Sequence, residues 1–145
     1  MSRLDEAIRF REVFGQEICS NISNFGFVKK KLWTMQCALI REEAEEFFEA
    51  ANEVYADPEN DKRREELLKE LSDLVFVCYQ FAAAYKLDLD EALCRVFESN
   101  MSKLDEQGNV IYRADGKVLK GPNYQPPDLS GLFPQANTHY DTYGK

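Results

Sequence analysis

The sequence predicts an all-α protein: a bundle of four to five helices, then a short C-terminal β-hairpin and an extended tail. Apolar residues recur every three or four positions within segments near 4–14, 29–55, 61–85 and 89–101, the spacing of one helical face. Gly15, Pro58 and Asp88 punctuate that pattern where helices should stop or start. After Lys103 the periodicity disappears, and Asp115-Gly116, Gly121-Pro122 and Pro126-Pro127 prescribe turns and extended chain.

Ser2 can cap a first helix from about Leu4 to Phe14, with Gly15 as its stop. Leu4, Ile8, Phe10, Val13 and Phe14 are its apolar residues. Residues 16–27 read as a looser stretch, broken at Asn21, Asn24 and Gly26. A second helix should run from near Lys29 to about Tyr55. Its stripe is Leu32, Met35/Gln36, Leu39/Ile40, Glu43, Glu46/Phe47, Ala50/Ala51 and Val54. Pro58 opposes its continuation. The third helix, about Asp61 to Tyr85, is apolar nearly all round from Leu74 to Ala84 and should be central and buried. Asp88 caps a fourth, Leu89 to about Met101. Residues 109–119 suit a hairpin turned at Asp115-Gly116. Residues 1–129 are expected to form one domain, with residues 130–145 a tail that stays disordered unless a partner orders it.

The chain has 145 residues, 44% of them apolar, and 26 acidic against 18 basic side chains, a formal charge of −8. That balance argues against nucleic acid or an anionic membrane as partner, since both need a basic field. It leaves room for a phosphate-bearing small molecule, because a bound cation inverts local charge. No apolar run approaches signal-peptide or membrane-span length, so a cytoplasmic protein is expected. Cys19, Cys37, Cys78 and Cys94 form no CxxC pair and read as reduced apolar residues. With His139 the lone histidine, histidine-based chemistry is nearly excluded. No GxxxxGK[ST] loop occurs, which excludes a P-loop enzyme.

Acids inside the apolar stripes carry the functional signal. Glu42, Glu45, Glu49 and Glu53 fit a solvated face with Arg41, and Glu66 and Lys69 are easily solvated as well. Glu43 and Glu46 instead share the side of Leu39, Phe47 and Ala50, and Asp73 opens the most apolar turn of the chain. Residues three or four apart neighbour each other on a helix, so Glu43 pairs with Glu46 and Glu70 with Asp73. Carboxylates seldom face a core unless paired, protonated or bound to a cation. Two such pairs on facing helices make an oxygen-rich cage suited to Mg²⁺, with Mn²⁺ able to substitute.

The pattern Glu42-Glu43-x-x-Glu46, followed by Glu70-x-x-Asp73 in Glu-Leu-Ser-Asp-Leu, resembles the signature of MazG-like all-α nucleoside triphosphate pyrophosphohydrolases. That superfamily includes dimeric dUTPases and phosphoribosyl-ATP pyrophosphohydrolases. Ser99-Asn100-Met101-Ser102-Lys103-Leu104 and the stretch from Asp115 to Leu129 resemble the C-terminal signature of its small single-domain members. The likeness spans roughly Phe25 to Leu129. Ser72 stands where the family's motif usually has glycine.

The resemblance implies Glu43, Glu46, Glu70 and Asp73 as Mg²⁺ ligands, with Glu42 an added acid near the metals that orients the attacking water or helps with a second ion; Glu42 and Glu43 are the catalytic candidates. It places Asn100 and Lys103 among polar contacts to a nucleoside triphosphate. Lys117 and Lys120 flank a turn and a Gly-Pro, and with Lys103 could close over a triphosphate. The run Lys29-Lys30-Lys31 reads as surface charge. Trp33, Phe25, Phe27 and Tyr124 are candidates for base stacking, and Asn21, Asn24 and Gln36 for reading base edges. Phe47, Phe76, Phe81 and Phe97 read as core. A homodimer or dimer of dimers is implied. The expected reaction converts a (deoxy)nucleoside triphosphate, for example a dGTP-like purine, to the monophosphate and pyrophosphate in nucleotide-pool control. The alternatives are dUTP or phosphoribosyl-ATP as substrate, or a noncatalytic helical adaptor for a basic partner.

Overall fold

The computed structural model describes residues 1–19 and 30–134. Within them the chain is all-α: α1 (Arg3–Val13), α2 (Lys30–Ala56), α3 (Asp61–Tyr85) and α4 (Leu89–Met101). The expected start of the second helix at Lys29, the candidates Asn21, Asn24, Phe25 and Phe27, and residues 135–145 lie outside the described residues.

Helices α1, α3 and α4 each begin where a side chain can accept from a free amide. Ser2 and Asp5 form a reciprocal capping box on α1. Asn60 caps α3 by accepting from the Arg63 amide, and Asp88 caps α4 by accepting from Glu91. Residues 57–60 connect α2 to α3, those two helices pack against each other, and α1 also packs on α3.

The chain forms two compact units, one built on Met1–Leu87 and the other on Asp88–Leu132. In the first, Leu32 of α2 packs with Ala84 and Tyr85 of α3, bordered by Cys19, Phe81 and Leu87. The consecutive alanines 82–84 are buried, as the sequence of α3 anticipates. Its upstream turns are not covered all round: Leu71, Val75 and Phe76 are exposed. On α1 the buried positions are Ala7 and Arg11, whereas Val13 and Phe14 are exposed. The Arg11 guanidinium donates to the Glu17 carbonyl from Nη2 at 2.6 Å and from Nε at 3.0 Å, and to Gln80 Oε1 from Nη1 at 3.3 Å. Burial makes that charge costly and lowers its pKa; the carbonyl and amide oxygens offset the cost.

In the second unit the tail runs back along α4. Ser99 Oγ donates to the Gln125 carbonyl at 2.7 Å, Arg95 Nη1 to the Asp128 carbonyl at 2.8 Å, and the Asp88 amide to the Leu132 carbonyl at 2.8 Å. The expected hairpin does not form as paired strands. Residues 109–119 make one isolated antiparallel bridge, Tyr112 with Val118, around a turn in which Gly116 takes φ +85°. Val110, Tyr112 and Val118 are all exposed, so there is no apolar face to stabilise a longer ladder. Phe97, expected in the core, is also exposed, and Cys94 with it.

Candidate metal centre

Glu43 and Glu46 sit one turn apart on α2, and Glu70 and Asp73 one turn apart on α3. Because α2 and α3 pack side by side, three of these residues converge. One carboxylate oxygen each from Glu43, Glu46 and Glu70 lies within 4.8 Å of the others. Glu70 is 5% exposed. Glu43 Oε2 and Glu70 Oε2 are buried and accept no hydrogen bond.

Such a cluster is electrostatically unfavourable by itself. Burial pushes the Glu43 carboxyl above its ordinary pKa, and the charges of Asp73, Glu70 and Glu42 add to the rise. Glu46 is raised for the same reasons, burial first and then Glu43 and Glu70. Glu70 goes the other way, because Lys69 donates to its carboxylate and holds it ionised. Lys69 Nζ stands 2.7 Å from Glu70 Oε1 and 3.1 Å from Asp73 Oδ2.

Asp73 does not belong to the three-acid cluster; Lys69 occupies it instead. Lys69, read from sequence as merely solvated, is therefore the one neighbour of the acids that was missed. Its signal was available: it precedes Asp73 by four residues, the spacing of a helical ion pair. Glu42 is exposed, close enough to Glu43 and Glu46 to raise both.

The remaining candidates divide between the two units. Trp33, on α2, packs edge-on against Phe81 at 5.1 Å and Tyr85 at 5.2 Å between ring centroids. Asn100, Lys103, Lys117, Lys120 and Tyr124 all belong to the second unit. Lys103 Nζ donates to Asn100 Oδ1 at 2.7 Å, and Lys120 Nζ lies 4.3 Å from the centroid of the Tyr124 ring. The Gly121 amide donates to the Lys103 carbonyl, joining Lys103 and Lys120 through the backbone.

A buried, unpaired carboxylate oxygen costs its full desolvation. Two of them among three converging acids fit a divalent cation, whose charge offsets the repulsion and whose coordination shell takes oxygen donors. A helical hairpin that brings together a buried Glu70, a half-buried Glu43 and a Glu46 that is exposed rather than core-facing defines a candidate oxygen-ligated cation site. The family comparison agrees: residues 7–100 match the phosphoribosyl-ATP pyrophosphohydrolase family. The chain belongs to that family, part of the MazG-like all-α pyrophosphohydrolase superfamily, and is a pyrophosphohydrolase in the general sense. The family uses divalent metal, which the Glu43–Glu46–Glu70 cluster is able to bind. A search of curated proteins finds no match. No helix among the described residues is long and apolar enough to cross a membrane.

Proposed function

We propose that the protein hydrolyses a (deoxy)nucleoside triphosphate to the monophosphate and pyrophosphate, with Mg²⁺ as the ion and a role in nucleotide-pool control. The observation that carries this reading is the pair of buried, unpaired oxygens, Glu43 Oε2 and Glu70 Oε2, within a three-carboxylate cluster. Glu43, Glu46, Glu70 and Asp73 would hold Mg²⁺, which when bound offsets charge on the phosphate oxygens.

The chain's own groups supply the rest. Glu42, exposed beside Glu43, or Glu43 itself would orient the attacking water and accept its proton as its oxygen bonds to phosphorus and the bridging oxygen leaves with pyrophosphate. Lys103, Lys117 and Lys120 would grip the polyphosphate and stabilise the departing charge, with Asn100 fixing the Lys103 ammonium. Tyr124 and Trp33 would stack on the base, although the edge-on packing of Trp33 on Phe81 and Tyr85 also gives it a core role.

Phosphoribosyl-ATP is the second reading, favoured by the description of the matching family. A panel of nucleoside triphosphates, dUTP and phosphoribosyl-ATP, assayed for pyrophosphate release with Mg²⁺, tests both. Release from a deoxynucleoside triphosphate is expected. Turnover of phosphoribosyl-ATP alone would select the second reading, and no release from any of them would overturn the first.

A homodimer, or a dimer of dimers, belongs to the same reading. On α4, Leu93, Phe97 and Met101 recur every four residues, all exposed. In the first unit Leu71, Val75, Phe76 and Tyr79 line a groove of about 480 Å³. A second copy would remove such surfaces from water. Light scattering showing a monomer at micromolar concentration would refute it. A cytoplasmic location belongs to the same reading and accords with Cys37, Cys78 and Cys94 being thiols rather than disulfides.

A further inference from the structure

The acid site holds one cation of its own. Lys69 Nζ bridges Glu70 Oε1 at 2.7 Å and Asp73 Oδ2 at 3.1 Å. The carboxylates of Glu43, Glu46 and Glu70 converge, and Asp73, the expected ligand outside that set, is held by the ammonium. Glu70 divides its two oxygens: Oε1 faces Lys69, while Oε2 is buried and unpaired. Glu70 can thus meet an ion through Oε2 without releasing the lysine, whereas Asp73 stands outside the cluster with Oδ2 held by Lys69.

We propose that Lys69 is the built-in counter-cation of the ion-free site, and that uptake of a divalent ion is an exchange. In it the Lys69 ammonium leaves Asp73, and Asp73 turns to join Glu43, Glu46 and Glu70. This rests on the acid cluster being a metal centre. The mobility it needs is present, since the Lys69 side chain is 57% exposed and that of Asp73 is 44% exposed. An ammonium on a flexible four-carbon stem can swing into water without leaving a hole in the core. Without an ion it shields acids that would otherwise repel one another across the hairpin.

Mn²⁺ alone, titrated calorimetrically into the full chain, tests the exchange when paired with melting curves in EDTA and in saturating Mn²⁺. Lys69→Met should bind Mn²⁺ roughly fivefold to tenfold more tightly than wild type, the effect of removing one competing charge at a partly solvated site. It should melt below wild type in EDTA and at or above it in Mn²⁺, and Lys69→Gln should do the same. Lys69→Arg, which keeps the charge, should stay close to wild type in EDTA. Unchanged affinity in both neutral variants overturns the proposal and makes Lys69 a solvated surface residue. Weaker affinity overturns it too, because the lysine would then be orienting ligands. Absence of Mn²⁺ uptake by wild type would overturn the metal centre itself, an outcome distinct from the other two.

Discussion

The Gly121 amide donates to the Lys103 carbonyl at 2.9 Å, and a Cβ on Gly121 would lie 2.4 Å from the Leu104 carbonyl oxygen. Only glycine lets the two backbone segments approach so closely. The contact sets Lys120 beside Lys103, two of the three lysines assigned to the polyphosphate. Gly121→Ala must push backbone apart, at a cost of about 1–3 kcal/mol. The expected outcome is a severalfold rise in KM for the triphosphate with Mn²⁺ affinity unchanged. Steady-state kinetics and calorimetry measure the two separately; an unaltered KM would detach this contact from substrate binding.

Gln36 is 2% exposed, and its Oε1 accepts no hydrogen bond. A buried amide carbonyl left unpaired costs about 1–3 kcal/mol. Gln36→Met keeps the shape and removes the cost, so the melting temperature should rise by about 2–4 °C for a chain of this size. A fall in melting temperature would show that the amide has a partner in solution.

Helix boundaries were legible because they depend on local chemistry: Ser2, Asn60 and Asp88 offer cap oxygens, and Pro58 stops continuation. The acids were legible because Glu43 and Glu70 break apolar stripes. What sequence could not show was pairing at a distance. Arg11 carried no signal in the sequence because its partners include the main-chain carbonyls of Glu17 and Gln80, and main-chain oxygens have no sequence signature. The exposure of Phe97 and Phe76 was hidden for the opposite reason, since periodicity reports an apolar face without saying what covers it. The hairpin turn at Asp115-Gly116 was real, but a turn signal carries no information on whether flanking residues have a surface to pack on.

The Arg11 network predicts a stability effect remote from the acids. Arg11→Ala empties a buried position and strips the Glu17 and Gln80 oxygens of their donor. A loss of about 3 kcal/mol is expected from charged hydrogen bonds broken in the interior. Urea unfolding should show a lower midpoint, and loss of less than about 0.5 kcal/mol would mean that water replaces the guanidinium.

Removal of a single ligand should separate chemistry from folding. Glu46→Gln and Asp73→Asn each keep the side chain's shape and delete one charge. Pyrophosphate release should fall at least about 100-fold, beyond what loss of a residue that merely supports a metal ligand produces. Helicity by circular dichroism should be unchanged. A near-wild-type rate for Asp73→Asn with Mg²⁺ would remove Asp73 from the ligand set.

Protonation and metal uptake should oppose each other. Glu43 and Glu46 have folded-state pKa values above the ordinary glutamate value of 4.5. Their contribution to the ion-free fold is therefore present below that value and lost as pH rises through the raised ones. Glu70, lowered by Lys69, contributes above the ordinary value and loses its contribution as pH falls through the lowered one. A divalent ion requires Glu43 and Glu46 ionised, so binding expels their protons, and affinity must climb as pH rises through their raised values. The gain in melting temperature on adding Mn²⁺ should be small near the ordinary glutamate value of 4.5 and grow as pH rises through the raised ones. In Glu46→Gln that growth should shrink, because one of the competing protons is gone. A gain that does not vary with pH would put the ion somewhere other than between α2 and α3.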